Sequence, residues 1–496
     1  MANHFDGPQM CNDADFIHIR FRDVVPENHP VKFIDQFIDG VDIKHFESKY
    51  KVGAGLKGRA PKDIRLMLKV ILYALYCRIY SARKIDYATE TFADFWLFTY
   101  KKRISHDKIS EFIIMHGDDI HTVFLATISL ASQNELLDFS ALYEDGFKIK
   151  ANASIKRCRT IDGLSKEEIR LSKNLDAALA TLQLPEDDQC ARDERKKTQS
   201  ALEKIASLRD ELQKRIKERS EGKAPSQLQK LEEKAMINLT DSDAELMRQK
   251  DKSSAVSYLK VTAVDPKSDI VLGSTISGHD NENQQSLSLA LESNSNCKDA
   301  GCDKKYDTTV ADSGFITGKN CADFEKEKIS LIGPTQSHEH SVRTKDSQEI
   351  TFHYAEKENT VTCSQGAVLL LDREYYSTSD EYLKKIFSNP QACSQCPRLN
   401  DCTKSKDKFR TVKLSEYAGA QQRVLDRYLS EAGQQLYKKR SHSAETYQGD
   451  LKQNGGFQRF LRRGIKKVKI DSVLHDIVWN LRRIFNTKGL NVSFKI

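Results

Sequence analysis

No stretch of this sequence is apolar for long enough to cross a membrane. The longest apolar run, residues 70–77, directly follows Lys69 and falls far short of the ~20 residues that a spanning helix needs. The opening residues MANHFDGPQMCNDADF include acidic side chains and no apolar core segment, so they match neither a secretory signal nor an Arg-rich transit peptide. We therefore expect a cytoplasmic protein without a membrane partner.

Cysteine is too sparse for a disulfide scaffold, with 11 residues in a chain of 496. Four of them nevertheless gather in the last third of the chain: Cys363, Cys393, Cys396 and Cys402. One C-x2-C pair and two further thiolates suit a tetrahedral Zn²⁺ site in a reducing compartment, with His353 as a competing ligand. Unpaired thiols packed in a loop are the alternative that this spacing leaves open.

The chain has a modest net charge of +7, but this charge is unevenly distributed. Residues 437–496 contain eight Lys and six Arg against four carboxylates, so this segment is +10 and the rest is slightly acidic. A basic end on a near-neutral body is typical of a protein that binds a polyanion. The cations that follow residue 457 are predicted to lie on and after a helix: Arg459, Arg462, Arg463, Lys466, Lys467 and Lys469.

Four kinds of pattern follow one another along the chain, whose length leaves room for about three domains. Residues 31–140 have apolar side chains at helical spacing and predict an all-α N-terminal region. Residues 160–252 are rich in charge and carry an apolar stripe, which predicts a helical hairpin broken near residues 222–225. Residues 258–277 predict a β-hairpin, and the strand, helix, strand order of residues 308–335 predicts an α/β layer with some parallel pairing. The stripe consists of Leu202, Ile205, Leu208, Leu212 and Ile216.

Three carboxylates stand out by their sequence context. Asp145 and Asp312 each lie at or near a predicted strand end and precede glycine or a small residue, where a backbone can approach a ligand closely. An ordinary turn explains either residue taken alone. Glu445 is predicted to open a helix on which Lys452, seven residues later, shares its face, although a surface glutamate fits the same local pattern.

Other acids compete for a role in such a site. Asp265 precedes a Pro turn, which explains it without chemistry, and Asp280 and the pair Asp241 and Asp243 have no distinguishing context. Glu144 neighbours Asp145, but successive side chains of a strand point to opposite faces, so one of the two can enter a site.

Six segments together resemble bacterial insertion-sequence DDE transposases, in the IS4/IS5-like group that has a helical N-terminal domain and a long insertion. The resemblance spans roughly residues 31–485. The segments are GRAPKDIRLMLKVILYALYCRIYSARKI, EDGFKIKANAS, INLTDSDAELM, VADSGF, CSQCPRLNDCTKS and AETYQGDLKQNGGFQRFLRRGIKKV.

The resemblance implies an α/β protein with an RNase H-like catalytic domain. Its domains would be a helical DNA-binding or oligomerising domain over residues 1–140, a catalytic domain over 141–485, and a tail over 486–496. Two insertions would interrupt the catalytic domain, one charged and helical at residues 160–252 and one containing the cysteines at residues 340–435.

The resemblance also implies the catalytic residues. Asp145 lies in the family's D-G-x-K-I context, Asp312 in its A-D-x-G context, and Glu445 before its G-D-[IL]-K segment. These three would hold two Mg²⁺ ions, with Mn²⁺ as a substitute, Asp145 bridging both. The family pattern Y-x2-R-x3-E-x6-K matches Tyr437, Arg440, Glu445 and Lys452 with one extra residue before the glutamate, and its basic members would contact the DNA end.

The implied activity is cleavage at the ends of an insertion sequence and strand transfer into target DNA. The implied partners are double-stranded DNA, as terminal inverted repeats and target, and a second copy of the chain or a higher oligomer in the bacterial nucleoid. The basic run after residue 457 would contact phosphates, and similar cysteines occur in the family. A metal-dependent nuclease without strand transfer, or a decayed protein that binds DNA without cutting it, fits the same residues.

Overall fold

The computed structural model describes residues 20, 23, 25–50, 62–181, 189–220, 225–280, 284–335, 341–343, 349–377 and 382–494. These residues form two compact units. Unit 1 comprises the residues up to His116 together with Phe485–Phe494, and unit 2 comprises Gly117–Ile484. Among the helices described, none combines the length and apolarity that a bilayer crossing requires.

Unit 1 is helical, which confirms the helical interpretation of this part of the sequence. Two of its helices begin at a polar side chain that caps them, His29 for the first and Asp63 for the third, where the Asp63 carboxylate accepts a hydrogen bond from the Leu66 amide at 2.7 Å. In the first helix, apolar residues three and four apart lie on one buried face. The helices are α1 (Pro30–Gly40), α2 (Lys44–Glu47), α3 (Ile64–Tyr76), α4 (Ala82–Thr91), α5 (Trp96–Thr99) and α6 (His106–Met115). Helix α7 (Ile120–Gln133) lies in unit 2, although the sequence pattern groups it with these helices.

Unit 2 contains a six-stranded mixed sheet. Along the sheet the order is β4, β5, β1, β7 and β8, with β6 also paired to β5. Strands β1, β7 and β8 are parallel, whereas β5 is antiparallel to β1, β4 and β6. The strands are β1 (Leu142–Lys150), β4 (Glu245–Arg248), β5 (Ser254–Asp265), β6 (Ile270–Ser277), β7 (Thr308–Val310) and β8 (Ser330–Ile332), and β2 (Cys158–Arg159) pairs separately with β3 (Ile237–Asn238). The predicted hairpin and the predicted parallel pairing are both confirmed.

Three charged helices follow β2. They are α8 (Ile161–Thr181), α9 (Gln189–Ser220) and α10 (Pro225–Lys234). Helix α9 packs against α8, and four residues of the predicted stripe are buried in a small core with Leu164, Ile237 and Leu239. The stripe prediction is therefore confirmed, whereas residues 221–224, which contain most of the predicted break, lie outside the described residues.

Helices cover both faces of the mixed sheet. On one face, the buried Glu144 accepts a hydrogen bond from Ser286 at the start of α11 (Ser286–Asp299). Helix α12 (Gly318–Lys326) connects β7 to β8 and begins at Thr317, whose hydroxyl caps the Asn320 amide. The last helices of the chain cover the other face.

A second sheet, entirely antiparallel, follows β8 in the chain. Its strands run in the order β14, β13, β12, β11, β10, β9, and its apolar core includes Phe352, Val361 and Phe387. The strands are β9 (Ser341–Arg343), β10 (Glu349–Ala355), β11 (Thr360–Cys363), β12 (Val368–Ser377), β13 (Tyr382–Ser388) and β14 (Thr411–Ser415), with two short helices between β13 and β14, α13 (Pro390–Ser394) and α14 (Leu399–Cys402).

The chain then returns to the mixed sheet through α15 (Ala418–Leu429), α16 (Glu431–Gly449) and α17 (Ile465–Lys488). A π-helical turn, Asp450–Asn454, extends α16. Two predictions are wrong here. Glu445 lies in the last part of α16 and does not open it, and residues 457–464, the first part of the predicted basic helix, are a loop that crosses the end of β1.

Candidate active site

Asp145 lies in the middle of β1, and the prediction that it stands near a strand end is wrong. Its side chain is 7 % exposed and faces α16, because alternation along the strand turns the neighbouring Glu144 to the opposite face. Burial raises the pKa of Glu144 to about 8, so this carboxyl group is largely protonated at neutral pH. Of the two adjacent acids, Asp145 is therefore the one placed beside α16.

Asp312 comes next to Asp145 through the parallel pairing of β1 with β7. Asp312 follows β7 by two residues, and its carboxylate accepts a hydrogen bond from the Gly314 amide at 2.8 Å. One guanidinium, that of Arg440 on α16, lies 2.9 Å from Asp145 Oδ1 and 3.5 Å from Asp312 Oδ2. Two of the predicted acids and one predicted DNA contact therefore form a single cluster.

Glu445 and Lys452 line the same open cavity as these two aspartates. The cavity measures about 960 Å³. Glu445 and Lys452 share a face of α16 and its π-helical extension, as the seven-residue spacing predicts. The Lys452 ammonium lies 5.2 Å from the centroid of the Phe147 ring. The charged residues that line the cavity are Asp145, Lys148, Arg248, Lys250, Asp251, Asp280, Asp312, Arg440, Glu445 and Lys452.

The electrostatics of this cavity depend on burial and on its charge pairs. Burial raises the pKa of Asp145, the Arg440 guanidinium opposes that rise, and the neighbouring Asp312 and Glu445 carboxylates add to it. Burial together with the nearby Lys250 lowers the pKa of Lys452 to about 8. The cavity thus holds both a group of carboxylates and a group of cations, and Arg440 offsets part of the repulsion among the carboxylates.

The donor set of this cavity fits a hard divalent cation. Three carboxylates from separate segments offer oxygen ligands alone, the preference of Mg²⁺. The Arg440 guanidinium lies between Asp145 and Asp312, and it supplies positive charge at the position where a metal cation would supply it. In the described part of the chain, no three His, Cys, Asp or Glu side chains are already arranged to hold a metal ion.

A buried network anchors the helix that carries Glu445. The ammonium of Lys260 on β5 lies 2.6 Å from Asp476 Oδ1 on α17, and both side chains are 1 % exposed. Tyr447, two residues after Glu445, donates its hydroxyl to the same carboxylate at 2.7 Å. This network ties α16 to β5 and α17, so the end of α16 is fixed relative to the sheet.

The first part of the predicted basic helix is a loop, whereas its second part, from Ile465 on, is the start of α17. The cations of the two parts differ in their availability. Arg462 forms an ion pair with the buried Asp471, whereas Arg459 is exposed beside Lys150 and Arg463 donates to the Asn152 carbonyl at 2.9 Å. Lys466 and Lys467 are exposed on the first turn of α17, and Tyr437 on α16 packs edge-on against Tyr428.

The competing acids have structural partners. Asp265 accepts hydrogen bonds from two backbone amides and from Tyr306 through one oxygen, and Asp241 and Asp243 accept from backbone amides at the start of α17. Asp280 lines the cavity but pairs with Lys148 at 2.6 Å. None of these carboxylates contacts Arg440 in the described structure.

Sequence reasoning missed Lys250 and Arg248. Arg248 ends β4 and Lys250 follows it by two residues, and both reach the cavity because β5 pairs with β4 and with β1. The alternation of residues 245–248 could have predicted this strand, but the charged composition of residues 160–252 led to the prediction of a helical segment there.

The four predicted cysteines surround a second, much smaller cavity. Cys363 ends β11, Cys393 and Cys396 lie in and after α13, and Cys402 ends α14. Together with apolar side chains, they line a space of about 30 Å³, enough for one water-sized species. Burial raises the pKa of Cys402, the nearby Arg410 opposes it, and the other three thiols add to it.

Two parts of the chain match known families. Residues 362–485 match the family described as Transposase DDE domain, and residues 19–114 match the one described as Transposase domain (DUF772). These matches support a DDE transposase family. The DDE transposase match implies a transposition enzyme and DNA binding, and DDE transposases are in general dependent on divalent metals. The range 362–485 contains Glu445 and Lys452, whereas Asp145 and Asp312 lie outside both matched ranges. No curated protein matches the chain.

Proposed function

We propose that this protein is the transposase of a bacterial insertion sequence of the IS4/IS5-like group. It would cleave the phosphodiester at each end of the element and join the freed 3′-hydroxyl to target DNA. The observation that carries the proposal is that Asp145, Asp312 and Glu445, from three distant segments, line one cavity together with Lys452.

The sheet topology supports an RNase H-like catalytic domain. An antiparallel pair, β6 and β5, is followed in the sheet by the parallel strands β1, β7 and β8, and helices cover both faces. The charged helices α8–α10 separate β1 from β5 in the chain, and the antiparallel sheet separates β8 from α16. We interpret both segments as insertions into this domain.

Asp145, Asp312 and Glu445 would hold Mg²⁺, or Mn²⁺ in its place. Two such ions would stabilise the attacking and leaving oxygens of the phosphoryl transfer. The carboxylates would act through their positions: Asp145 is fixed by its strand, Asp312 by the Gly314 amide, and Glu445 by the buried network under α16.

The cations of the cavity would bind the DNA end. Lys452 would place its ammonium at the cleaved phosphate, held by α16 and by the face of Phe147. Arg440 neutralises the two aspartates in the protein alone, and its guanidinium could turn to a phosphate once a metal ion holds those carboxylates. Tyr437, one helical turn before Arg440, would contact the same DNA end.

Further cations would hold the duplex outside the cavity. Arg459, Arg463, Lys466 and Lys467 are exposed and suit phosphate contacts, whereas the ion pair of Arg462 with Asp471 favours a structural role. The protein would act as a homodimer or higher oligomer on nucleoid DNA in the cytoplasm. A structural Zn²⁺ would bind the four thiolates of the cysteine cavity.

The test is a reaction of the purified protein with Mg²⁺, a duplex that carries the ends of its own element, and a supercoiled target plasmid. We expect cleaved 3′ ends followed by joined products, and neither with Asp145→Asn. Cleavage without joining would instead identify a nuclease, and retention of the DNA without cleavage would identify a DNA-binding protein.

A further inference from the structure

We propose that Cys297 and Cys302, at the end of α11, are a redox-active pair that forms a reversible disulfide when a peroxide oxidises the protein. In the structure both side chains are free thiols, with Cys297 fully buried and Cys302 half-buried. Neither residue belongs to the carboxylate cavity or to the cysteine cavity. The inference therefore adds a modification site to the chain, and it does not depend on the proposed function.

The way in which α11 ends brings the two cysteines together. The Cys302 amide donates to the Cys297 carbonyl at 2.9 Å, and the Gly301 amide donates to the Lys298 carbonyl at 3.0 Å. Gly301 has a φ angle of 79°, in the left-handed region. These features define a Schellman motif, in which the side chains at the positions of Cys297 and Cys302 frequently contact each other. Two thiols thus occupy the positions that apolar side chains usually fill.

The two thiols differ as the two members of a redox pair must differ. Hydrogen bonds from the Cys297 thiol and from the Ser132 hydroxyl on α7 lower the pKa of Cys302 to about 7, against the effect of burial. The same contact with Cys302, together with burial, raises the pKa of Cys297. At neutral pH, Cys302 is therefore the reactive thiolate, and Cys297 is the protonated thiol beside it.

The backbone at the end of α11 permits a disulfide between these two positions. A disulfide requires Cα atoms ~4.4–6.8 Å apart, a separation that is typical of two residues joined by a backbone hydrogen bond. Residues 286–308, which include α11 and the connection to β7, contain no other cysteine. The nearest partner along the chain for an oxidised Cys302 is therefore Cys297.

The oxidation would proceed in two balanced steps. The Cys302 thiolate attacks one oxygen of hydrogen peroxide, which gives a sulfenic acid on Cys302 and a hydroxide ion. The hydroxide takes up the proton that Cys302 had released. The Cys297 sulfur then attacks the Cys302 sulfur, the S–O bond breaks, and the leaving hydroxide takes the Cys297 proton. The two sulfur atoms have then lost two electrons to the peroxide, and two water molecules have formed.

The disulfide would fasten α11 close to its contact with the start of β7. Asn294 on α11 donates to the Tyr306 carbonyl at 3.0 Å and accepts from the Tyr306 amide at 2.8 Å. The Tyr306 hydroxyl donates to Asp265 at 2.7 Å. Because Cys302 lies between Asn294 and Tyr306 in the chain, a bond from Cys302 to Cys297 would restrict the segment that connects the two.

The first test treats the purified full chain with hydrogen peroxide, blocks the remaining thiols with iodoacetamide, and digests the protein with trypsin without a reductant. Cleavage after Lys298 separates the two cysteines, so their peptides should stay joined until dithiothreitol is added. Cys158→Ser is the matched control, because Cys158 is also half-buried but lies in β2, and it should give the same joined peptides. Separate peptides from the oxidised wild type before reduction would overturn the proposal.

The second test distinguishes the hydrogen bond from the disulfide. Cys297→Ser keeps a donor beside Cys302 but forms no disulfide, whereas Cys297→Ala removes the donor. Labelling of Cys302 by iodoacetamide should reach its half-maximal rate near pH 7 in the wild type and in Cys297→Ser, and at a higher pH in Cys297→Ala. Peroxide should leave Cys302 of Cys297→Ser as a sulfenic acid that dimedone traps.

Mass spectrometry of the Cys302 peptide would measure both the labelling and the dimedone adduct, and thermal melting would verify that each variant folds. If folded Cys297→Ala had the same pH profile of labelling as the wild type, Cys297 would not activate Cys302 and the assignment of the pair would be wrong. Absence of the dimedone adduct in folded Cys297→Ser would exclude the sulfenic acid step and would overturn the proposal as well.

Discussion

The two cavities that gather potential metal ligands differ in size, exposure and chemistry. The carboxylate cavity is open and measures about 960 Å³, whereas the cysteine cavity measures about 30 Å³ and is lined mainly by apolar side chains. Catalytic metal sites keep an open position for substrate, and structural zinc sites are closed. Under the proposed function, the first cavity would carry the substrate chemistry and the second would have a role in folding.

The two cavities also differ in how charge is compensated. In the carboxylate cavity, the Arg440 guanidinium lies beside Asp145 and Asp312 and opposes the rise in the pKa of Asp145. In the cysteine cavity, burial raises the pKa of Cys402, and Arg410, which lies 5.6 Å from the centroid of the Phe352 ring, opposes this rise. The difference is that Arg440 forms ion pairs with the carboxylates that it compensates, whereas Arg410 donates a hydrogen bond to the Cys402 backbone carbonyl.

Removing one carboxylate should have the largest effect on activity. Asp145→Asn, Asp312→Asn and Glu445→Gln should each lower the cleavage rate by about 10³-fold or more, because loss of a single stabilising donor in an active site already costs about that much. Binding of duplex DNA should remain, since these acids do not contact phosphates in the proposal. Single-turnover cleavage and fluorescence anisotropy would measure the two quantities.

Asp280→Asn is the matched control, because Asp280 lines the same cavity but pairs with Lys148. It should retain most of the cleavage rate. Normal cleavage by any one of the three predicted variants would remove that residue from the site.

Loss of one cysteine should affect stability more than chemistry. Cys396→Ser should lose a zinc content of about one ion per chain and lower the melting temperature, because metal binding contributes directly to folding. Cys77→Ser in unit 1 is the control and should keep the metal. Elemental analysis and thermal melting would check both. If the purified wild-type chain held no zinc, the closed cavity would be an ordinary cluster of packed thiols.

Replacing Arg440 tests whether its guanidinium competes with metal ions. Arg440→Gln removes the positive charge beside Asp145 and should tighten Mn²⁺ binding about tenfold, which corresponds to ~1.4 kcal/mol of electrostatic competition. Arg440→Lys keeps the charge and should bind Mn²⁺ about as weakly as the wild type. Electron paramagnetic resonance titration in the absence of DNA would give both dissociation constants. Equal affinity in wild type and Arg440→Gln would show that the guanidinium does not compete.

Much of the fold was predictable because local patterns determine it. The strands of the β5–β6 hairpin, the parallel pairing of β7 with β8 and the apolar stripe of α9 follow from periodicity and turn chemistry. The loop after α16 was not predictable, because Phe457, Phe460 and Leu461 repeat at a spacing that is typical of a helix. Gly456 and Gly464 interrupt it with positive φ angles of 66° and 83°, a backbone conformation that glycine adopts easily.

The residues of the site were predictable in part. The resemblance selected Asp145, Asp312, Glu445 and Lys452, and the structure brings them to one cavity. Lys150 lies beside Arg459 through a bridge between residues distant in sequence, and Lys250 reaches the cavity because β5 pairs with the distant β1; no local pattern specifies either pairing. Arg462 differs from the exposed Arg459 by its ion pair with Asp471, which forms where the chain turns from the loop into α17.

The smallest expected effect concerns the pH dependence of DNA binding at Lys452. Its pKa is lowered to about 8 by burial and by Lys250, so the ammonium is largely charged at pH 7 and loses its proton as the pH rises towards 9. Wild-type affinity for duplex DNA should therefore fall by about threefold over this interval, the sign expected when a phosphate contact loses its cation. Lys452→Arg stays charged and should show a smaller fall, whereas Lys452→Met should bind weakly at every pH. Anisotropy titrations without metal at pH 7, 8 and 9 would separate the three proteins. Parallel pH profiles for wild type and Lys452→Arg would mean that the Lys452 ammonium does not contact DNA.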